Sequence, residues 1–162
     1  MDIKINIVKK KDIDLLIDFQ KEIIDEMSNK EWFAPLTKEE FLTPIEGRDN
    51  VYFFTLNDEI IGLLVLACDI KEVLKEYKLQ SDNYMLIDSI MVKSKYRGKG
   101  IQRKMLEFAY DRAKELNMDG LVATVHPDNI YSLNNFIKEK YEILHALNIH
   151  GGVRNVMIKN II

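Results

Sequence analysis

Ile3, Ile5 and Ile7 alternate with polar neighbours at the start of the chain, which is the period of a half-buried strand. Asp12 then stands where a helix cap is expected, ahead of Ile13, Leu16, Ile17, Gln20, Ile24 and Met27 at helical spacing. Thr37-Lys38-Glu39-Glu40 matches a capping box, in which Thr and Glu satisfy each other's orphan backbone donors. A second short helix therefore starts there and ends before Gly47. Residues 51–56 and 60–70 are β-branched and aromatic runs separated by Asn57-Asp58-Glu59, which predicts an antiparallel hairpin. Val73, Leu74 and Tyr77 predict a turn or two of helix within 71–82.

Residues 84–92 are apolar on both faces, as expected of a central strand. Ile101, Met105, Leu106, Ala109, Ala113 and Leu116 follow as an amphipathic helix closed by Asp119-Gly120. The continuous apolar run 121–125 predicts a strand parallel to 84–92 by way of that crossover helix. A helix over about 130–140 carries Leu133, Phe136 and Ile137. Strands over 141–149 and 153–161 flank Gly151-Gly152, a dipeptide suited to a tight primed turn. The sum is one α/β domain over residues 1–162, with a mixed, mostly antiparallel sheet and helices on both faces.

The chain has 162 residues and a net charge of -3, enough length to bury roughly 70% of the unfolded surface without disulfide staples. A single cysteine, Cys68, and an N-terminus without an apolar stretch predict a reducing, cytoplasmic setting. The longest apolar run, 60–68, falls far short of the roughly 20 residues that span a bilayer, so no membrane partner is expected. The charge is unevenly placed. Residues 11–50 hold five bases against eleven acids, net -6, while 93–117 hold eight bases against three acids, net +5. An anionic ligand is drawn to the second segment and a cationic amine to the first. An acidic pI near 5.7 and the lack of interleaved exposed aromatics argue against a nucleic-acid partner.

The chemistry concentrates at 92–102. Strand 84–92 runs into Lys93-Ser94-Lys95-Tyr96-Arg97-Gly98-Lys99-Gly100-Ile101, where a helix starts at once. Glycines at alternate positions let several amide N–H groups point into one concavity at the positive end of a helix, a site suited to phosphate. A P-loop requires Lys followed by Ser or Thr after its second Gly, whereas Gly100 is followed by Ile101 and Gln102. A dinucleotide fingerprint requires Gly or Ala at position 103, which is Arg103.

The remaining pattern resembles the pyrophosphate loop of the GNAT superfamily of N-acyltransferases: Gln or Arg, two residues, Gly, one residue, Gly or Ala. Lys95 replaces the leading residue, while Arg97, Gly98 and Gly100 stand as in many members. The order of elements resembles the GNAT fold over nearly the whole chain. The resemblance implies acetyl-CoA as cosubstrate and a primary amine, on a small molecule or peptide, as acceptor. It implies that Ile90 and Val92, with Met91 between them, pair through their backbone with the pantetheine amides, that a nearby N–H steadies the thioester oxyanion, and that Arg97, Gly98, Lys99, Gly100 and Ile101 hold the pyrophosphate. Asn129 matches a family Asn that contacts the cofactor arm, although a helix N-cap is an equal reading for it, and Ser132 matches a small-residue position nearby. No metal is implied, since His126, His145 and His150 lack ligand spacing. A homodimer is left open.

Many members place a Tyr seven residues after that Asn as the acid that protonates the departing thiolate. Here it is Phe136, so Tyr131, Tyr110 or a water takes its place; the family's Gly-Phe pair is Lys140-Tyr141. Asp88 is the candidate base, because it shares the face of Leu86 and Ile90 on an apolar strand where desolvation raises a carboxyl pKa. A structural Asp bonded to backbone is its other reading, and Glu26 and Glu31 are alternative bases. Trp32 and Phe33 line an acceptor pocket or plug the space between two helices. Phe136 also motivates a second reading: an acyl-CoA sensor of the same fold without turnover.

Overall fold

A computed structural model describes residues 1–48 and 50–161; Asp49, one of the acids counted above, lies outside the described residues. Strands β1 (Ile3–Ile7), β2 (Val51–Leu56), β3 (Glu59–Ala67), β4 (Tyr84–Val92), β5 (Gly120–Val125), β6 (Glu142–Ile149) and β7 (Gly152–Asn160) are joined by helices α1 (Ile13–Glu26), α2 (Lys38–Glu46), α3 (Lys71–Glu76), α4 (Ile101–Glu115) and α5 (Ile130–Lys138). Among the described residues the strands form a mixed sheet in the order β1-β2-β3-β4-β5-β7-β6. The chain divides into two compact units, Met1–Leu66 with Asp88–Gln102 and Ala67–Ile87 with Arg103–Ile162.

In the first unit β1, β2 and β3 run antiparallel, in register from Ile3↔Leu56 to Ile7↔Tyr52 and from Val51↔Val65 to Leu56↔Glu59. The turn between β2 and β3 is two residues long, one fewer than predicted: Asn57 and Asp58 both take left-handed φ, 50° and 65°, as a primed turn requires. α1 buries Ile13, Leu16, Phe19, Gln20 and Ile23, and Phe19 meets Phe53 edge to face at 6.4 Å. The buried stripe therefore passes through Phe19 and Ile23, leaving the predicted Ile24 and Met27 half-buried. Gln20 is tolerated there because its amide exchanges two 2.9 Å hydrogen bonds with the Leu36 backbone, satisfying a buried polar group and pinning the segment ahead of α2. Phe33 packs against this core, which favours a plug over a pocket lining. Thr37 and Glu40 form the predicted capping box at α2, with bonds of 3.2 and 3.1 Å, worth about 1 kcal/mol.

Two expectations in this unit are corrected. Asp12 does not cap α1 with its side chain; its carboxylate accepts the Lys9 N–H at 3.0 Å and closes a single 3-10 turn ahead of the helix. Ile5 and Ile7 are exposed, because β1 is an edge strand and its alternation does not correspond to a covered face.

In the second unit β4 and β5 pair in parallel, as predicted, over Tyr84↔Gly120 to Leu86↔Val122. β7 runs antiparallel to β5 and to β6. Leu74, Tyr77, Leu86, Val122, Ile149 and Val156 form its core. α4 ends one turn earlier than Asp119-Gly120 suggested. Asn117 takes the left-handed position (φ 57°), while the Met118 and Asn117 N–H groups bond back to the Ala113 and Lys114 carbonyls, the bonds of a Schellman stop. Gly120 instead opens β5, where a Cβ would lie 2.5 Å from the Lys159 carbonyl oxygen. The β6–β7 turn is His150-Gly151 rather than Gly151-Gly152, with φ of 54° and 79°. His150 is held there by its Nε2 contact with the Tyr77 hydroxyl at 3.1 Å. Cys68 follows β3 rather than lying in it, and is buried. Ile137 of α5 is exposed, while Phe136 carries the buried contact of that helix.

Candidate functional site

β4 delivers a continuous run of candidate residues within the first unit. Ser89 and Met91 point to the buried side of the strand, whereas Asp88, Ile90 and Val92 alternate with them and are half-buried. The carboxyl of Asp88 makes no hydrogen bond or ion pair among the described residues. Burial pushes its pKa up to about 6 from the ordinary 3.8, and the negative charge of Glu40 adds to the rise. A structural aspartate bonded to neighbouring backbone, the alternative reading, is not what the strand holds.

After β4 the chain makes a 3-10 turn over Ser94–Tyr96 and then the glycine loop. Gly98 and Gly100 take φ of 75° and 79°, conformations that cost an L side chain about 1–2 kcal/mol. A Cβ at either position would project into open space, with no atom within 4 Å. The glycines are thus required by backbone conformation, and the surface they leave is an open cradle bounded by Ile101 at the start of α4. The first N–H groups of a helix have no partner inside it, an arrangement suited to an anion.

The basic residues around that cradle are not equivalent. Lys93 Nζ reaches Glu22 at 3.3 Å and Glu59 at 3.2 Å, and Lys95 Nζ reaches Glu59 at 3.1 Å. The Tyr96 hydroxyl also donates to Glu59. This hydrogen bond and the two lysines together hold the Glu59 carboxyl down at about 2. Arg97 Nε turns back to the Val92 carbonyl at 3.2 Å. Lys99 lies 5.6 Å from the centre of the Tyr96 ring. Glu59 is the residue that sequence reasoning missed. It sits at a hairpin turn, and only the fold shows that the turn faces the loop's lysines.

The second unit carries the other candidates. Asn129 is the N-cap of α5, its Oδ1 accepting the Ser132 N–H at 3.3 Å. Its Nδ2 is not used by that cap. Tyr131 is 83% exposed. Phe136 is 1% exposed and stacks edge to face on Tyr141 at 4.9 Å, so this position is core. Among the described residues the buried Tyr141 hydroxyl has no hydrogen-bond partner, and burial raises its pKa. Tyr110 carries Lys159 over its ring at 4.3 Å. The histidines have structural contacts: His126 Nδ1 accepts the Asp128 N–H, and His145 Nε2 lies 2.7 Å from the Tyr77 carbonyl oxygen. No group of residues suited to a metal ion occurs among the described residues, and no helix among them is long and apolar enough to cross a membrane.

Comparison with known proteins identifies the fold and the family. A search of curated proteins finds no match. Among solved structures, the chain resembles an acetyltransferase of the GNAT family from Streptococcus pneumoniae with a TM-score of 0.77 and 19% identity, covering 99% of each chain. It resembles a chain of the NatC complex bound to Gag peptide and CoA with a TM-score of 0.76 and 18% identity, covering 100% of each. A putative streptothricin acetyltransferase from Bacillus anthracis, in complex with acetyl coenzyme A, gives a TM-score of 0.69 and 19% identity over 100% of this chain and 99% of that one. At such identities these likenesses establish the fold. The acetyltransferase (GNAT) family profile matches residues 18–138, a span that includes β4, the glycine cradle and α5. The chain belongs to the acetyltransferase (GNAT) family.

Proposed function

We propose that this protein is an N-acetyltransferase that moves an acetyl group from acetyl-CoA to a primary amine of a small molecule or peptide, by direct attack with both substrates bound. The observation that carries the reading is the cradle: two left-handed glycines whose missing side chains leave open space at the start of a 15-residue helix. The residues present fit a pyrophosphate, since amide donors, the helix end and basic side chains meet there. Backbone N–H groups from Gly98 to Ile101, with Arg97 and Lys99, bind it. Ile90, Met91 and Val92, which lie beyond the three β4 residues in the ladder to β5, are the proposed backbone partners of the pantetheine amides. Asn129, through the Nδ2 its cap does not use, and Ser132 are the proposed contacts to the cofactor arm.

When bound, acetyl-CoA supplies an activated acetyl thioester. Asp88, with a pKa of about 6, is roughly nine-tenths ionised at pH 7. Its carboxylate attracts an ammonium and accepts a proton as the amine nitrogen bonds to the acyl carbon and the carbon–sulfur bond breaks. Tyr131 is the proposed donor to the thiolate, and water serves the same end for a thiol whose pKa is near 8.5. The NatC structure holds a peptide and the Bacillus anthracis protein is a putative streptothricin acetyltransferase, so either acceptor class fits the fold. A cytoplasmic setting suits the lone buried thiol of Cys68.

The burial of Phe136 favours one other reading, an acyl-CoA sensor without turnover, because the usual proton donor is replaced by a core residue. Both readings share a binding test. Acetyl-CoA raises the melting temperature of the wild type, and Gly100→Asp abolishes the rise by putting a side chain and a negative charge in the cradle. Gly151→Asp, at the same φ of 79° and equally open in the β6–β7 turn, lowers the melting temperature but keeps the rise. An undiminished rise in Gly100→Asp refutes the phosphate site.

A further inference from the structure

Four basic side chains surround the glycine cradle, but the structure has already sorted them. Lys93 is 18% exposed at its side chain and is shared between Glu22 of α1 and Glu59 at the start of β3. The Lys93 backbone N–H is also tied down, to the Ile61 carbonyl at 2.8 Å. Lys95 ends on the same Glu59 carboxylate. Tyr96 donates its hydroxyl to Glu59, and its ring carries both Lys95, at 5.1 Å, and Lys99, at 5.6 Å. One carboxylate thus binds Lys93, just ahead of the 3-10 turn, and Lys95 and Tyr96 within it, before the chain enters Arg97 and Gly98. Lys99 is in no ion pair among the described residues.

We propose that Glu59 is a positioning residue for the pyrophosphate loop: it engages Lys93 and Lys95 and anchors Tyr96, leaving Lys99 as the ammonium offered to phosphate. This rests on the acetyl-CoA site proposed above and deepens it. A carboxylate with three donors converging on it fixes the turn before the ligand arrives, so less ordering cost falls on binding. A lysine already paired with a carboxylate gains little from a phosphate, because the new attraction is offset by the old one lost, whereas an unpaired lysine gains the whole of it. The Tyr96 ring face attracts a cation weakly enough to hold Lys99 near the cradle without competing with phosphate.

Two pairs of variants test this by isothermal titration with acetyl-CoA and by steady-state kinetics. Glu59→Gln keeps the acceptor for Tyr96 but loses the charge that holds the lysines. It is expected to raise Kd and KM for acetyl-CoA by about three- to tenfold with kcat unchanged, and Glu59→Asp to restore part of the loss. Lys99→Met is expected to weaken binding more than Lys95→Met, although each removes one charge at a similar place in the sequence. A Glu59→Gln protein that binds as tightly as the wild type, or more tightly, overturns the inference, as does equal loss in the two lysine variants. A fall in kcat and melting temperature without a change in Kd also overturns it, by making Glu59 a fold residue alone. These results leave the cofactor site standing, whereas a wild type that binds no acetyl-CoA removes site and inference together.

Discussion

Replacing Asp88 by Asn removes the charge of the proposed base with almost no change of shape. The sign of its effect on stability follows from the direction of the pKa shift. The folded protein holds the carboxyl at about 6, above its ordinary 3.8, so folding disfavours the ionised form. The penalty is absent below pH 3.8, grows between 3.8 and 6, and is complete above 6. The gap corresponds to about 3 kcal/mol at pH 7 and about 1 kcal/mol at pH 4.5. Asp88→Asn is therefore expected to stabilise the protein at pH 7, raising the melting temperature by roughly 6–12 °C at about 2–4 °C per kcal/mol, with the gain shrinking at pH 4.5. The same variant is expected to lose about a hundredfold or more in kcat/KM, and the wild-type profile to fall on the acid side of an apparent pKa near 6. Calorimetry at the two pH values, beside a pH–rate profile of both proteins, measures all of this. A variant less stable than the wild type at pH 7 would mean that the carboxylate is held by partners in the fold, contrary to the unpaired, desolvated group described above.

Tyr131→Phe changes an exposed side chain, so stability stays within about 0.5 kcal/mol while kcat falls roughly tenfold or more; an unchanged kcat in a single-turnover assay assigns the proton to water. Gly120→Ala places a Cβ 2.5 Å from the Lys159 carbonyl oxygen and 2.8 Å from the Tyr84 ring. It costs about 1–3 kcal/mol by overpacking, read as a shifted urea midpoint with an unchanged slope.

Local signals with a geometric requirement were legible in the chain. The Thr37–Glu40 box, the span of β4 and the start of α4 at Ile101 all stand where pattern places them, because each depends on residues close in sequence. The failures share a cause. For Asp12, Gly120 and the β6–β7 turn, residue type alone points to the wrong role: the Asp12 carboxylate accepts the Lys9 N–H and does not cap α1, Asn117 supplies the left-handed stop, and His150 enters the turn beside Tyr77. Ile5 and Ile7 show that alternation reports a period and not a covered face. In the candidate site, the cradle and the raised pKa of Asp88 followed from strand and loop pattern. Glu59 did not, since its importance comes from three residues that follow a different strand, 34 or more positions away.

Acetyl transfer to an amine releases free CoA thiol, which can be followed as it forms. Purified protein is given acetyl-CoA alone and then with a panel of polyamines, aminoglycosides, amino acids and peptides with free N-termini, while free CoA thiol is followed. Thiol release that depends on at least one amine, saturates in it and is lost in Asp88→Asn is the predicted result. No amine-dependent release across the panel, by a protein that acetyl-CoA still stabilises, contradicts the transferase and leaves the sensor.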